Sequence, residues 1–224
     1  MYNKTDLYIV FKIPSRGRPD DLFRCIDSVI NNLNNTKDCR ILITADYDDD
    51  SMYCNELKQK YMEYCQKGVL INMFYDDATT KVGAYNRDVE KVNFVWDIIV
   101  VLDDQTEVVL QGFDDLIRSC YKATKKFRDN QMFFIGSKQR SVITMGRAYY
   151  RRFKYFYHPE YRNTFYARKE IATVSRLLKS NNYLYADIFK NHKKMDALKI
   201  LNRSYNDIDK QVYTLRKAMR WGLG

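Results

Sequence analysis

Asp97-Ile98-Ile99-Val100-Val101-Leu102-Asp103-Asp104 is the stretch that decides the fold. Consecutive aliphatic residues, without the alternation of a half-buried strand, read as a short strand covered on both faces, as in a parallel sheet between helices. The strand ends on two adjacent carboxylates, and in such sheets ligands bind in the crevice at the strands' carboxyl ends. Hard divalent cations such as Mg2+ and Mn2+ prefer oxygen ligands, and one bridging carboxylates to a diphosphate neutralises charge on a leaving group. Taken alone, the pair fits equally well an acidic turn that caps the next element. Its surroundings tip the balance.

Upstream, strands and helices alternate. Leu7-Tyr8-Ile9-Val10-Phe11-Lys12-Ile13 is β-branched and aromatic, and Pro14 ends it, so it reads as a buried first strand. The loop Ser15-Arg16-Gly17-Arg18-Pro19-Asp20 follows, with Asp20 or Asp21 as cap of a helix in which Leu22, Cys25, Ile26, Val29, Ile30 and Leu33 recur at helical spacing. A second strand, residues 40–45, runs into the acidic loop Asp46-Tyr47-Asp48-Asp49-Asp50. Residues 51–66 read as a helix, 69–75 as a third strand and 83–95 as another helix. The expected fold class is α/β, a mainly parallel, Rossmann-like sheet flanked by helices.

Downstream the pattern changes. A helix is expected over 112–127, a strand over 132–136 and another over 141–145, followed by a stretch dense in aromatics and arginines and by two polar helices as a C-terminal extension. The 224 residues suffice for one sizeable core and are short for two. Five cysteines without any Cys-x-x-Cys pair suggest neither a disulfide framework nor a zinc site, and fit a reducing, cytoplasmic compartment. No apolar run approaches the roughly 20 residues of a membrane helix, so no transmembrane segment is expected.

The net charge of +10 hides an asymmetry: residues 1–112 carry 13 Lys and Arg against 19 Asp and Glu, residues 113–224 carry 25 against 9. The basic half points to an anionic partner, which leaves a diphosphate, a nucleic acid or an acidic membrane surface; the plain alternative is a solvated basic face. Its densest part is Gly146-Arg147-Ala148-Tyr149-Tyr150-Arg151-Arg152-Phe153-Lys154-Tyr155-Phe156-Tyr157, with Lys125, Lys126, Arg128, Lys138 and Arg140 nearby in sequence. Arginines there can meet phosphates while the rings stack on bases or sugars. Equally, the rings can form a core face while the basic side chains point outward.

Read in order, these segments resemble the family 2 glycosyltransferases of the GT-A fold. The opening strand with Ile13-Pro14-Ser15-Arg16-Gly17-Arg18-Pro19, the segment Gly83-Ala84-Tyr85-Asn86-Arg87, the run Val101-Leu102-Asp103-Asp104-Gln105-Thr106 and Gly112-Phe113-Asp114-Asp115-Leu116-Ile117 carry the resemblance, which extends to His158-Pro159-Glu160-Tyr161 and weakly to His192. It implies transfer of a sugar from a nucleoside diphosphate donor, UDP-linked by preference, to an acceptor hydroxyl. Residues 1–112 would form the donor-binding half and 113–224 the acceptor-binding half of one compact domain. Asp46 would contact the nucleobase; Pro14, Ser15, Arg16, Arg18, Lys81 and Asn86 would line the donor pocket; Asp103 would bind ribose; Asp104 and His192 would hold Mn2+ or Mg2+.

The sequence departs from the family in two places. The usual Asp-x-Asp is here Asp103-Asp104-Gln105, and the segment that carries the general base in many relatives reads Phe165-Tyr166-Ala167-Arg168-Lys169-Glu170. Deprotonating an acceptor hydroxyl needs a base within hydrogen-bond reach, and Glu170, then Glu160, are the carboxylates placed for it. With Arg147, Arg151 and Arg152 as acceptor contacts, the basic half favours DNA carrying a hydroxylated base, as in enzymes with which phages decorate their genomes. The competing readings are a sugar-phosphate nucleotidyltransferase and a non-catalytic nucleic-acid-binding protein on the same fold.

Overall fold

Seven strands form the central sheet of the computed structural model, which describes residues 7–77, 80–124, 130–136, 142–192 and 196–223. They are β1 (Ile9–Pro14), β2 (Cys39–Asp46), β3 (Leu70–Asp76), β4 (Ile98–Val101), β6 (Met132–Ile135), β7 (Val142–Gly146) and β8 (Asn181–Leu184), in the order β3-β2-β1-β4-β7-β6-β8. The first four run parallel. Only β7 is reversed, antiparallel to β4 and to β6, and β8 is parallel to β6. Two further strands, β5 (Thr106–Val108) and β9 (Phe189–Asn191), pair as a separate antiparallel ribbon.

Side chains alternate across each strand, and the sheet is buried on both faces. Ile9, Phe11 and Ile13 of β1 pack with α1 (Pro19–Asn32), α2 (Asn55–Gln66) and α4 (Phe113–Ala123). On the other face Val10, Leu42, Ile99 and Val101 pack with α3 (Lys81–Asn86), α5 (Arg147–Phe153) and α6 (Thr164–Leu177), against which α8 (Asn206–Ala218) lies. Burial of a single Leu, Ile or Val side chain here contributes roughly 1.5–3 kcal/mol, so the unbroken aliphatic run of β4 is explained by its position between two helical layers.

Several boundaries differ from the sequence reading, each for a local reason. Arg18 occupies the cap position of α1 and Pro19 its first turn, so Asp20 and Asp21 complement the helix dipole instead of capping it. A 3-10 turn at Asp50–Met52 precedes α2, which starts only at Asn55. The helix expected over 83–95 stops at Asn86, because Asp88 adopts a left-handed φ of 71° and leads into a 3-10 turn at Val89–Lys91. The helix expected over 112–127 runs to Ala123, and its last residues lie outside the described ones. Gly112, with φ 72°, precedes it where a Cβ would meet Asn34 Nδ2 at 2.6 Å. The ribbon β5–β9 and the edge strand β8 are too short and polar to announce themselves. The two polar C-terminal helices are α7 (Ala197–Ser204) and α8.

Candidate functional site

Because β1 to β4 are parallel, the loops after β1, β2 and β4 meet at one edge of the sheet. There they enclose a cavity of about 410 Å³ lined by Pro14, Ser15, Arg16, Arg18, Asp46, Asp48, Lys81, Tyr85, Asp103 and Asp104, with Leu198, Lys199, Leu201, Asn202 and Tyr205 from α7 and its end. That volume lies within the range of small-ligand sites.

Asp103 and Asp104 occupy different surroundings although they are neighbours. Asp104 is only 2% exposed; it accepts from Ser15 Oγ at 2.9 Å and faces Arg18 Nη1 at 3.2 Å. Burial, and after it the Asp103 charge, push its carboxyl up to about 8. Asp103 is also penalised by burial, but Lys81 Nζ at 2.8 Å outweighs the penalty and holds it below the usual carboxylate range. Tyr85 OH donates to the same Asp103 oxygen at 3.3 Å. One carboxylate is thus compensated within the protein and the other incompletely so. A buried oxygen pair short of positive charge suits a hard divalent cation. Among the described residues no group of three or more His, Cys, Asp or Glu could by itself enclose a cation.

Asp46, at the end of β2, is held from two sides. Arg16 Nη1 reaches Asp46 Oδ2 at 2.7 Å while its guanidinium also forks onto Asp48. Arg87 Nη2 meets Asp46 Oδ1 at 2.8 Å and the Ala45 carbonyl, and its Nη1 reaches the Asp76 carbonyl at 2.8 Å, which stitches β2 to β3. Behind Arg87, the Thr44 hydroxyl donates to Asp88 Oδ2 at 2.6 Å and is contacted by the fully buried Lys12 ammonium. Burial lowers the Lys12 ammonium to about 7. The left-handed turn at Asp88 therefore has a purpose: it aims a carboxylate under the sheet edge to meet these groups. A lone lysine inside the apolar first strand was the available sequence signal for this network.

Helix α7 covers the cavity from the basic half. Asp196 caps it by accepting from Lys199 N at 2.9 Å and also binds Arg18 at 2.8 Å, while Lys199 Nζ donates to Gln105 Oε1 at 2.6 Å. Nothing in the sequence near α7 announced this, because its partners are the loops of β1 and β4, far away in the chain.

Other expected residues lie elsewhere. Asn86 does not line the cavity; it clamps the 156–157 backbone, accepting from Phe156 N and Tyr157 N and donating to Tyr157 O at 2.6 Å. His192 is not among the cavity's lining residues; its ring meets Glu107 of β5 at 2.5 Å. Glu170, expected as the general base, is buried in a bidentate pair with Arg216 at 2.7 and 2.9 Å and accepts from Tyr161 OH at 2.6 Å. It faces a separate pocket of about 20 Å³ with Phe153, His158 and Trp221. Glu160 is exposed, 3.8 Å from His158. In the basic aromatic segment Tyr149, Tyr150, Phe156 and Tyr157 are core residues, while Arg151 and Arg152 are exposed and Arg147 lies over the Trp96 ring. Those rings are packing, not a stacking surface. Lys125, Lys126, Arg128, Lys138 and Arg140 lie outside the described residues.

No family model matches the chain, and no curated protein matches it. Solved structures do. With the UDP-GlcNAc complex of Staphylococcus aureus TarS residues 1–349 the TM-score is 0.62 at 8% identity, covering 86% of this chain and 61% of that one. With the mannosyltransferase PcManGT of Pyrobaculum calidifontis, solved with GDP-Man and Mn2+, it is 0.61 at 9% identity, covering 81% and 55%. This chain spans 36% of another TarS structure. A 4-diphosphocytidyl-2C-methyl-D-erythritol synthase from Anaerococcus prevotii aligns over 89% of this chain and 96% of its own, at a TM-score of 0.50 and 11% identity. The chain has the GT-A fold: a mainly parallel seven-stranded sheet flanked by helices, with its charged cavity at the carboxyl edge.

Proposed function

We propose that the protein transfers a sugar from a nucleoside diphosphate donor, UDP-linked, to an acceptor hydroxyl, with a divalent cation at Asp103 and Asp104. The observation that carries this reading is the cavity itself, in which Asp103, compensated by Lys81, and the incompletely compensated Asp104 share the lining with Arg16, Arg18 and Lys199. Neighbours of the same fold were solved with UDP-GlcNAc, or with GDP-Man and Mn2+.

The roles follow from the geometry. Asp46, fixed between Arg16 and Arg87, presents acceptor lone pairs and so suits the ring N3–H of uracil, a position that in cytosine is itself a bare acceptor. Arg16, Arg18, Lys81 and Lys199 supply fixed positive charge for a diphosphate, so departure of that group requires little reorganisation. Asp103 and Asp104 would hold the Mg2+ or Mn2+ ion, which supplies Lewis-acid stabilisation of the leaving oxygens. Helix α7 excludes water from one side of the cavity. The basic half, 25 Lys and Arg against 9 Asp and Glu, supports an anionic acceptor, and we assign it as DNA carrying a hydroxylated base. Free cysteines throughout fit a reducing compartment, and no helix of the described residues is long and apolar enough to cross a membrane.

A second reading, nucleotidyl transfer to a sugar phosphate, is favoured by the near-complete alignment with the Anaerococcus prevotii synthase. Against it stands the loop after β1, which has the single glycine Gly17 and no glycine-rich phosphate cradle. Product analysis separates the two. UDP released from UDP-sugar in the presence of Mn2+ supports glycosyl transfer; pyrophosphate released from UTP and a sugar phosphate overturns it. Binding of DNA without binding of any nucleotide leaves only the non-catalytic reading.

A further inference from the structure

The last strand of the sheet ends in an aromatic stack that neither the core nor the cavity uses. Tyr183 of edge strand β8 and Tyr185 just after it are 44% and 66% exposed. Their ring centroids are 6.1 Å apart and the planes are inclined by only 10°. Behind Tyr183 stands buried Phe134 of β6, 5.3 Å away at 22°. The stack is anchored in the core at one end and open to solvent at the other, so its rings are ordered before any ligand arrives.

Its position matters. Phe134 belongs to the core beneath α5 and α6, whereas Leu184 packs on the opposite face. The two-residue period of a strand then puts both tyrosines on the face of the sheet that these helices cover, and α6, which contacts β8, exposes Lys169 and Arg176. Strand β8 points the same way as β4, so Tyr185 stands at the sheet edge that carries Asp103 and Asp104. From Tyr185 the chain runs through buried Ile188 into β9, and His192 N donates to Gln105 O at 2.9 Å.

We propose that Tyr183 and Tyr185 form a stacking platform for unpaired bases of a single-stranded nucleic acid, gripping the acceptor strand beside the cavity; this rests on the acceptor half of the reading above. Every base has a π-face that stacks on tyrosine, and basic side chains around such a platform take the phosphates. An uncharged oligosaccharide can stack on the same rings but draws nothing from the charge of α5 and α6.

The test is fluorescence anisotropy with a labelled mixed-sequence single-stranded DNA of about 15 nucleotides, near the upper site size of known stacking grooves. Tyr185→Ala should weaken binding about fivefold or more, and Tyr183→Ala likewise, while Tyr185→Phe stays near wild type. The slope of log affinity against log salt should not change, because phosphate contacts are untouched. The thermal shift produced by UDP with Mn2+ serves as a check on folding and on the donor site. Alanine variants that bind DNA as wild type does overturn the platform alone. Wild type that binds a neutral hexasaccharide and no DNA overturns both the platform and the DNA acceptor, and leaves the donor reading to its own thermal shift.

Discussion

Residues 1–112 carry more acid than base and residues 113–224 carry a large basic excess, yet the cavity draws on them in the opposite sense from what those totals suggest. Three of its four cations, Arg16, Arg18 and Lys81, come from the acidic half, as do Asp46, Asp48, Asp103 and Asp104; the basic half supplies Lys199 and a largely neutral helix face. The excess positive charge of the second half lies elsewhere, on outward faces such as Arg151 and Arg152 of α5. The charged cavity is therefore built where strand-end loops converge, and the excess charge of the second half lies outside it. Net charge by half does not locate the cavity.

This contrast can be broken by substitutions, beginning with the largest expected effect. Asp104→Ala should lower cation-dependent release of UDP from UDP-sugar about a thousandfold, as loss of electrostatic stabilisation of a leaving group does at its upper end. Arg216→Met should leave that release intact but destabilise the fold by about 3 kcal/mol in urea unfolding, since it strands buried Glu170 without its partner. If Arg216→Met instead abolished release from a fully folded protein, Glu170 would belong to the chemistry.

A smaller effect is expected at Arg87. Arg87→Lys keeps the charge but cannot reach Asp46, Ala45 and Asp76 together, so UDP affinity should fall about tenfold, or roughly 1.4 kcal/mol. Its preference over CDP should shrink with it, as equilibrium titration of both nucleotides would show. The smallest effect is that of pH. The Asp104 carboxyl sits near 8 and must lose its proton before a cation binds. Mn2+ affinity should therefore rise about fivefold from pH 7 to pH 8 and level off above that, and Asp104→Ala should flatten the profile.

Much of the first half was legible in the sequence because its information is local. The aliphatic run 98–102 set the depth of β4, and Pro14 with Gly17 and Pro19 marked the loop after β1. The parallel arrangement then brought Ser15, Arg16, Arg18, Asp46, Lys81, Asp103 and Asp104 to one cavity. What was missed depends on distant partners. Lys12, Thr44 and Asp88 meet only because β1 and β2 pair and the chain turns left-handed at Asp88. Asp196 and Lys199 enter the site only because α7 folds back over the loops of β1 and β4. The aromatic segment around Tyr150 read as either a ligand surface or a core face because composition does not reveal which side of α5 faces the sheet. Glu170 looked like a base because its partner, Arg216, lies on another helix.

The most direct test of the donor site is a calorimetric titration of UDP into the protein with and without Mn2+, repeated on Asp104→Ala. The account predicts binding to wild type that strengthens at least tenfold with Mn2+ and an Asp104→Ala variant that is folded but insensitive to the cation. Equal UDP affinity with and without Mn2+ in wild type, or an undiminished Mn2+ effect in the variant, would contradict it.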